Sequence, residues 1–395
     1  MTATTAHWNI DERQFWLHGK QPDEWVDFDE QIGVWRVFGY PEAVRVFGDP
    51  KTFSSDTGRL SPMEIPFAEA NLVEMDPPQH GKLRKLVSHA FTPKMVANLE
   101  PRVVELTNEL LNATEGSDRI ELIKDLAYPL PIIVITEMLG IPSSDRDLFK
   151  QWVDTMMEGT YEFSFSEPTE QQETDMQRAM EQMQYLVDYI CEHAADRRKN
   201  PRNDLLTMLV EAEVDGDRLT DTEVSIFANS LLVNGHLTTT MLLGNSVLCL
   251  DAHPETFQAV RADRSKIPAA IEESLRFLTP APVLGRATTR EVELGTTTIP
   301  ADQIVQVWVG VANRDPRQFE RPEVFNISRD PNPHLTFGRG IHFCVGAPLA
   351  RLESRIAMNI VLDRFPHLRT DPDDAPVFHH NPYVSTVSRL PLVAG

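Results

Sequence analysis

The sequence predicts a mainly α fold with small β-sheets, and three features lead there. Helical periodicity dominates from about residue 79 to 213. One apolar periodic run beginning at Thr220 is long enough to cross a whole molecule. Strand-like sequence is confined to a short run at 34–38 and a Thr/Val-rich stretch at 283–309. No Gly/Ser-rich linker, internal repeat or low-complexity segment divides the 395 residues, so a single domain over 1–395 is expected.

In chain order, Val34-Trp-Arg-Val-Phe38 reads as a strand, and a helical turn opens at Pro41 ahead of the loop from Asp49 to Ser61. Candidate helices then lie near 79–90, 95–114, 120–139, 145–159, 172–198 and 203–213, separated by Pro, Gly or Ser/Asp start signals. At Thr220-Asp-Thr-Glu223 a Thr at the N-cap and a Glu three residues on form a capping box. The helix it starts can run to about Ala252 before Pro254 stops it, or about 48 Å at 1.5 Å per residue. Gly235 in its middle costs ~1 kcal/mol relative to Ala, and Thr238 and Thr239 can bond back to carbonyls one turn earlier. Two readings stay open there: a buried helix with a packing glycine, or a distorted one that makes room for a ligand. A Pro-punctuated stretch without periodicity runs from about 313 to 336, and a last helix from about 345 to 364.

Hydrophobic residues at 41% and charged residues at 24% are ordinary for a globular chain that buries a core. The formal charge of −22 repels phosphate backbones and anionic lipid, so neither nucleic acid nor a membrane is an expected partner. Residues 1–8 lack a basic region followed by an apolar one, and no run of ~20 apolar residues occurs; the expectation is a soluble, cytoplasmic, monomeric protein. Cys191, Cys249 and Cys344 are too few and scattered for a disulfide framework. Cys191-Glu-His193 has no second pair at zinc-site spacing and reads as helix surface. Hydrolase, NTPase and dinucleotide fingerprints are absent.

The decisive pattern is Phe337-Gly-Arg-Gly-Ile-His-Phe-Cys-Val-Gly346. Its glycines permit a tight loop that a flat ligand can approach, and a helix N-terminus just beyond lowers the pKa of a cysteine placed there. The ten-residue pattern F-G-x-G-x-H-x-C-x-G resembles the haem-thiolate loop of the cytochrome P450 family, and the similarity extends over nearly the whole chain. Glu273-Ser-Leu-Arg276 resembles the family's E-x-x-R helix motif, with Arg329 in the place of its third partner; the resemblance implies a structural network. Met75-Asp-Pro-Pro-Gln-His80, continuing to Arg84 and Phe91-Thr-Pro93, resembles the segment that supplies a His and an Arg to the haem propionates. His80 and Arg84 are spaced i, i+4 on one helical face and can converge on an anion. Arg286 and His342 become propionate contacts by the same similarity.

The resemblance implies the P450 fold, with haem b (iron protoporphyrin IX) between the long central helix and the cysteine loop and Cys344 as its axial metal ligand. The implied reaction is monooxygenation: one atom of dioxygen enters an apolar small molecule of terpenoid, steroid, fatty acyl or polyketide type, and the other leaves as water. The alternative is a haem protein of the same fold used for peroxide-driven oxidation or ligand binding. No redox domain is fused, so electrons are expected from a ferredoxin and ferredoxin reductase or their equivalent, docking near Lys82, Arg84, Lys85, Lys94, Arg102, Arg339 and Arg351.

One departure concerns proton delivery. The family's A/G-G-x-[Asp/Glu]-Thr appears as Asn234-Gly235-His236-Leu237-Thr238, so the threonine is kept and the acid is Leu237. Thr238 and Thr239 are the catalytic candidates, with Asn234 a polar neighbour. Substrate-facing positions carried over by similarity are Val233, Leu237, Val283, Leu284 and Val384. The segment Met156 to Phe165 reads as a mobile lid with adaptable Met and Phe contacts.

Overall fold

The computed structural model describes residues 8–393 apart from 9, 61–70, 91, 147, 150, 153–169, 215 and 380. Its longer helices are α1 (Tyr40–Gly48), α2 (Gln79–Ala90), α3 (Pro93–Asn98), α4 (Glu100–Asn112), α5 (Pro129–Leu139), α6 (Glu170–Lys199), α7 (Leu205–Glu211), α8 (Asp221–Asp251), α9 (Pro254–Ala262), α10 (Ile267–Phe277) and α11 (Ala347–Arg364). The capping box is formed as read: the Thr220 hydroxyl accepts from the Glu223 amide at 3.2 Å, and the Glu223 carboxylate accepts from the Thr220 amide at 2.8 Å. Helix α8 is buried along most of its length, as suits an element surrounded by others. It packs against α5, α6, α10 and α11. Phe227, Leu232, Leu243 and Leu248 of α8 join Ile135 and Leu139 of α5, Leu186 and Ile190 of α6, Leu275 of α10 and Ile356 of α11 in one buried cluster. Truncating any of these leucines to Ala costs ~2–5 kcal/mol by general experience with cores.

The main sheet contains β1 (Val26–Asp29), β2 (Val34–Val37), β3 (Phe53–Ser54), β4 (Leu284–Thr288) and β5 (Ile304–Val307), in the order β1-β2-β5-β4-β3. Only β2 with β5 runs parallel; the other pairs are antiparallel. This sheet carries its own apolar cluster, which includes Phe47, Phe53, Val305 and Phe319.

Several expected boundaries move for identifiable reasons. The helix expected over 95–114 is two, parted at Leu99, because Pro101 has no N–H to give and starts a new first turn. The helix expected over 120–139 begins as a strand, Arg119–Glu121, paired with Pro391–Val393, and passes through a π-turn at Ile123–Ala127 before α5 starts at Pro129. Pro254, read as a stop for α8, also opens α9. The helix expected over 145–159 falls largely, and the lid at Met156 to Phe165 wholly, outside the described residues. No helix among the described residues is long and apolar enough to cross a membrane.

Candidate active site

The cysteine loop is shaped by its glycines. Gly338 and Gly340 hold φ of +67° and +71°, in the left-handed region that side-chain-bearing residues avoid. A Cβ on Gly340 would stand 2.6 Å from the Phe47 carbonyl oxygen, so the loop lies against the end of α1 with no space for a methyl group. The Cys344 amide donates to the Phe337 carbonyl at 2.8 Å, closing the turn just before α11 begins. Loss of water around the sulfur pushes the thiol up, against the amides of Gly346 and Ala347 and the charges of Arg84 and Arg351, which favour the thiolate. The helix start therefore acts in the expected direction, but burial outweighs it.

Beside this loop four basic side chains converge. His80 and Arg84 stand one turn apart on α2, Arg286 comes from β4, and His342 from the cysteine loop. The rings of His80 and His342 lie 4.2 Å apart, and the Arg286 guanidinium sits 5.3 Å above the Phe47 ring. Arg84 Nη2 donates to the Phe343 carbonyl at 2.6 Å, pinning α2 to the cysteine loop. Burial, followed by the charges of Arg286, His80 and Arg84, lowers His342 to about 3. Burial likewise lowers His80, and brings Arg286 down to about 10. Among the described residues, Asp76 is the one carboxylate that acts on both His80 and Arg286. Nε2 of His80 is buried with no hydrogen-bond partner among the described residues. Such a cluster is costly unless an anion meets it, and a dianionic ligand with charge on two arms fits it.

On α10, Glu273 and Arg276 are both fully buried and joined by two hydrogen bonds, 2.9 and 2.7 Å. Arg276 also donates to the carbonyls of Asn313, Pro322 and Val324, and Glu273 accepts from the Asn326 amide and Asn332 Nδ2. Arg329 lies 3.5 Å from Glu273. This network ties the aperiodic stretch to a helix, which repetitive backbone bonding cannot do there.

The remaining candidates lie in the middle of α8 and on neighbouring strands and turns. Thr238, Thr239 and Thr240 donate to the carbonyls of Asn234, Gly235 and His236 at 2.7, 2.9 and 3.1 Å. Thr239 is buried, whereas Thr238 is exposed. Val233, Leu237, Val283, Leu284 and Val384 are all half-buried. Leu237 and Val283 pack on the helical core, while Leu284 packs on the sheet cluster.

The cytochrome P450 family model matches residues 28–391. The chain is a cytochrome P450. It is 39% identical over 381 residues to the erythromycin C-12 hydroxylase of Saccharopolyspora erythraea, covering 96% of this chain and 93% of that one. It is 41% identical over 353 residues to the cyclomarin C epoxidase CymV of Salinispora arenicola, covering 89% and 88%. Among solved structures, that of HmtT, involved in himastatin biosynthesis, superposes with a TM-score of 0.92 at 55% identity, over the full length of both chains. Both the P450 fold and the class of enzyme, a haem-iron monooxygenase, follow from membership.

For this P450 some contacts near the basic cluster had no counterpart in the sequence reading. Ser55 Oγ meets His342 Nε2 at 2.8 Å, and Asp76 accepts from the Ser54 hydroxyl at 2.5 Å and the Ser55 amide at 3.0 Å. Three residues of the expected docking patch are committed elsewhere: Arg84 bonds the Phe343 carbonyl, Arg102 pairs with Glu137 and Glu105, and Arg351 with Glu272. Lys85, Lys94 and Arg339 are exposed.

Proposed function

We propose that this P450 holds one non-covalent haem b between α8 and the cysteine loop and oxygenates an apolar small molecule. The observation that carries the reading is the convergence of His80, Arg84, Arg286 and His342 on one spot beside the Cys344 sulfur. In this reading the Cys344 sulfur, with the Gly346 and Ala347 amides beside it, would hold the haem iron, and the four basic groups would hold the propionates. Glu273, Arg276 and Arg329 keep the backbone under the haem rigid. When bound, the haem supplies dioxygen activation, with one atom inserted into the substrate and the other released as water. Thr238 and Thr239 hold hydroxyls at the distal helix, Thr238 being the exposed one. Val233, Leu237, Val283, Leu284 and Val384 line an apolar substrate face that excludes water.

The erythromycin C-12 hydroxylase and the cyclomarin C epoxidase named above support, within the apolar small molecules, a substrate of the polyketide type. A separate ferredoxin and reductase supply electrons, the chain acts as a single-domain cytoplasmic monomer, and exposed Lys85, Lys94 and Arg339 mark the docking face. The test is the absorption spectrum of the purified protein. The reduced carbon monoxide complex should show the band of a thiolate-ligated haem, retained in Cys191→Ser and Cys249→Ala and lost in Cys344→Ser. Retention of that band in Cys344→Ser would refute the ligand assignment.

A further inference from the structure

Beyond its first turn, α8 is buried or half-buried at every residue except Asn234 and Thr238. These two stand one turn apart on one face, so the core opens on this side of the helix. Val233 and Leu237, the residue before Asn234 and the one three places on, are half-buried and apolar. Asn234 thus sets an amide into an apolar surface, at the position that the motif quoted above fills with Ala or Gly.

The amide cannot turn over, because a relay of hydrogen bonds fixes which end faces outward. Burial, with the charge of Asp56, raises the Glu74 carboxyl, and a bond from the Asn71 side chain opposes them, so Asn71 gives Nδ2 to Glu74. Asn71 Oδ1 accepts from the Val73 amide and from Ser230 Oγ, both at 3.3 Å. Ser230 Oγ accepts from Asn234 Nδ2 at 3.1 Å, and the Ser230 carbonyl accepts from the same nitrogen at 2.8 Å. Every donor in the relay points toward Glu74. Both N–H bonds of the Asn234 amide are used, which leaves Oδ1 to face outward, and no described residue donates to it. Donation from Nδ2 polarises the amide and strengthens Oδ1 as an acceptor.

We infer that Asn234 Oδ1 determines specificity, and that the substrate is an apolar molecule carrying a hydroxyl or N–H that donates to it. The inference rests on the haem reading above and narrows the substrate class given there. A methyl ether or N-methyl group in the donor's place would strip Oδ1 of water and leave it without a partner, which costs binding. One directional bond in an apolar surface also fixes the orientation in which the molecule lies. Ser230 and Asn71 are positioning residues that act through Asn234 by holding its amide.

The test is titration of the holoenzyme with pairs of apolar probes that differ by one methyl group on the donor: testosterone and its methyl ether, indole and N-methylindole, para-phenylphenol and its methyl ether. Occupancy is read from the Soret band. The ratio of the two Kd values in a pair is compared between enzymes, so the bulk of the methyl group cancels. Preference for the donor-bearing member should be about fivefold to tenfold greater in the unmodified enzyme than in Asn234→Leu, the worth of one hydrogen bond. Ser230→Ala, which frees the amide to turn, should lower the preference partway. A substitution that merely loosens the fold weakens both members alike and leaves the ratio unmoved. Equal ratios in the unmodified enzyme and Asn234→Leu for every pair overturn the acceptor, and an unchanged ratio in Ser230→Ala overturns the relay as what holds it. If no probe shifts the band of a protein whose reduced carbon monoxide complex is of the thiolate type, the apolar-substrate reading falls and this inference with it. If that complex does not form, the haem reading itself falls.

Discussion

The hydroxyl of Ser55 meets Nε2 of His342 at 2.8 Å, across 287 positions of sequence. His342 is one of four basic groups around a common point, and this bond orients its ring. Ser55→Ala should leave the fold intact and loosen the haem. A lost hydrogen bond of this kind is worth about 1 kcal/mol, or a roughly fivefold faster transfer of haem to an apoprotein scavenger. An unchanged transfer rate would show that His342 does not depend on this partner.

Gly340→Ala should be the most damaging single methyl group in the cysteine loop. The residue holds φ of +71°, and the new Cβ would stand 2.6 Å from the Phe47 carbonyl oxygen. The left-handed conformation alone costs ~1–2 kcal/mol for a residue with a side chain. The clash with backbone adds to it, so the loop must move and the thiolate-type spectrum should diminish. Gly116→Ala, also at positive φ but with open space around it, is the control that should keep the spectrum.

Glu273→Gln should unfold the protein at markedly lower urea concentration. Glu273 and Arg276 are both fully buried, and removing one charge leaves the other unpaired at ~3–5 kcal/mol. Glu273→Met combined with Arg276→Met should cost less than the sum of the two single changes, since no charge is then left behind. An additive result would mean that the pair is not coupled.

Reversal of an exposed cation should slow reduction, whereas reversal of a paired one should act through stability. Lys85→Glu at low salt should reduce the rate of electron transfer from an acidic ferredoxin without altering the affinity for an apolar ligand, and the difference should fade as salt rises. Arg351→Glu breaks the bond to Glu272 and should lower the melting temperature as well. Reduction kinetics independent of salt would count against this docking face.

His236 is fully buried against Tyr128, whose carbonyl lies 3.0 Å from its Nε2, and burial brings the imidazole from 6.5 down to about 4. The folded state therefore keeps His236 neutral while the unfolded chain takes up a proton below about 6.5. Stability is lost as pH falls through that window, by at most ~1.4 kcal/mol per pH unit from this group. His236→Phe should flatten the acid side of the stability curve between pH 6.5 and 4, measured by urea unfolding at each pH. An identical slope would place the titration elsewhere.

How much of this was written locally is visible residue by residue. The capping box at Thr220 and Glu223, the i, i+4 placement of His80 and Arg84 and the glycines around Cys344 each depend on hydrogen bonds or steric limits within a few residues, so the sequence by itself determined them. It determined the mainly α class for the same reason, since periodicity reports which face each helix buries. The tertiary structure alone decided whatever joins distant segments: Arg119–Glu121 is a strand only because Pro391–Val393 lies beside it, β2 and β5 pair parallel, Ser55 finds His342, and Asn71 finds Ser230. Serines and asparagines look alike in any loop. Whether one becomes part of the site depends on which chains close against each other, and that follows from burying the core around α8 rather than from any local preference.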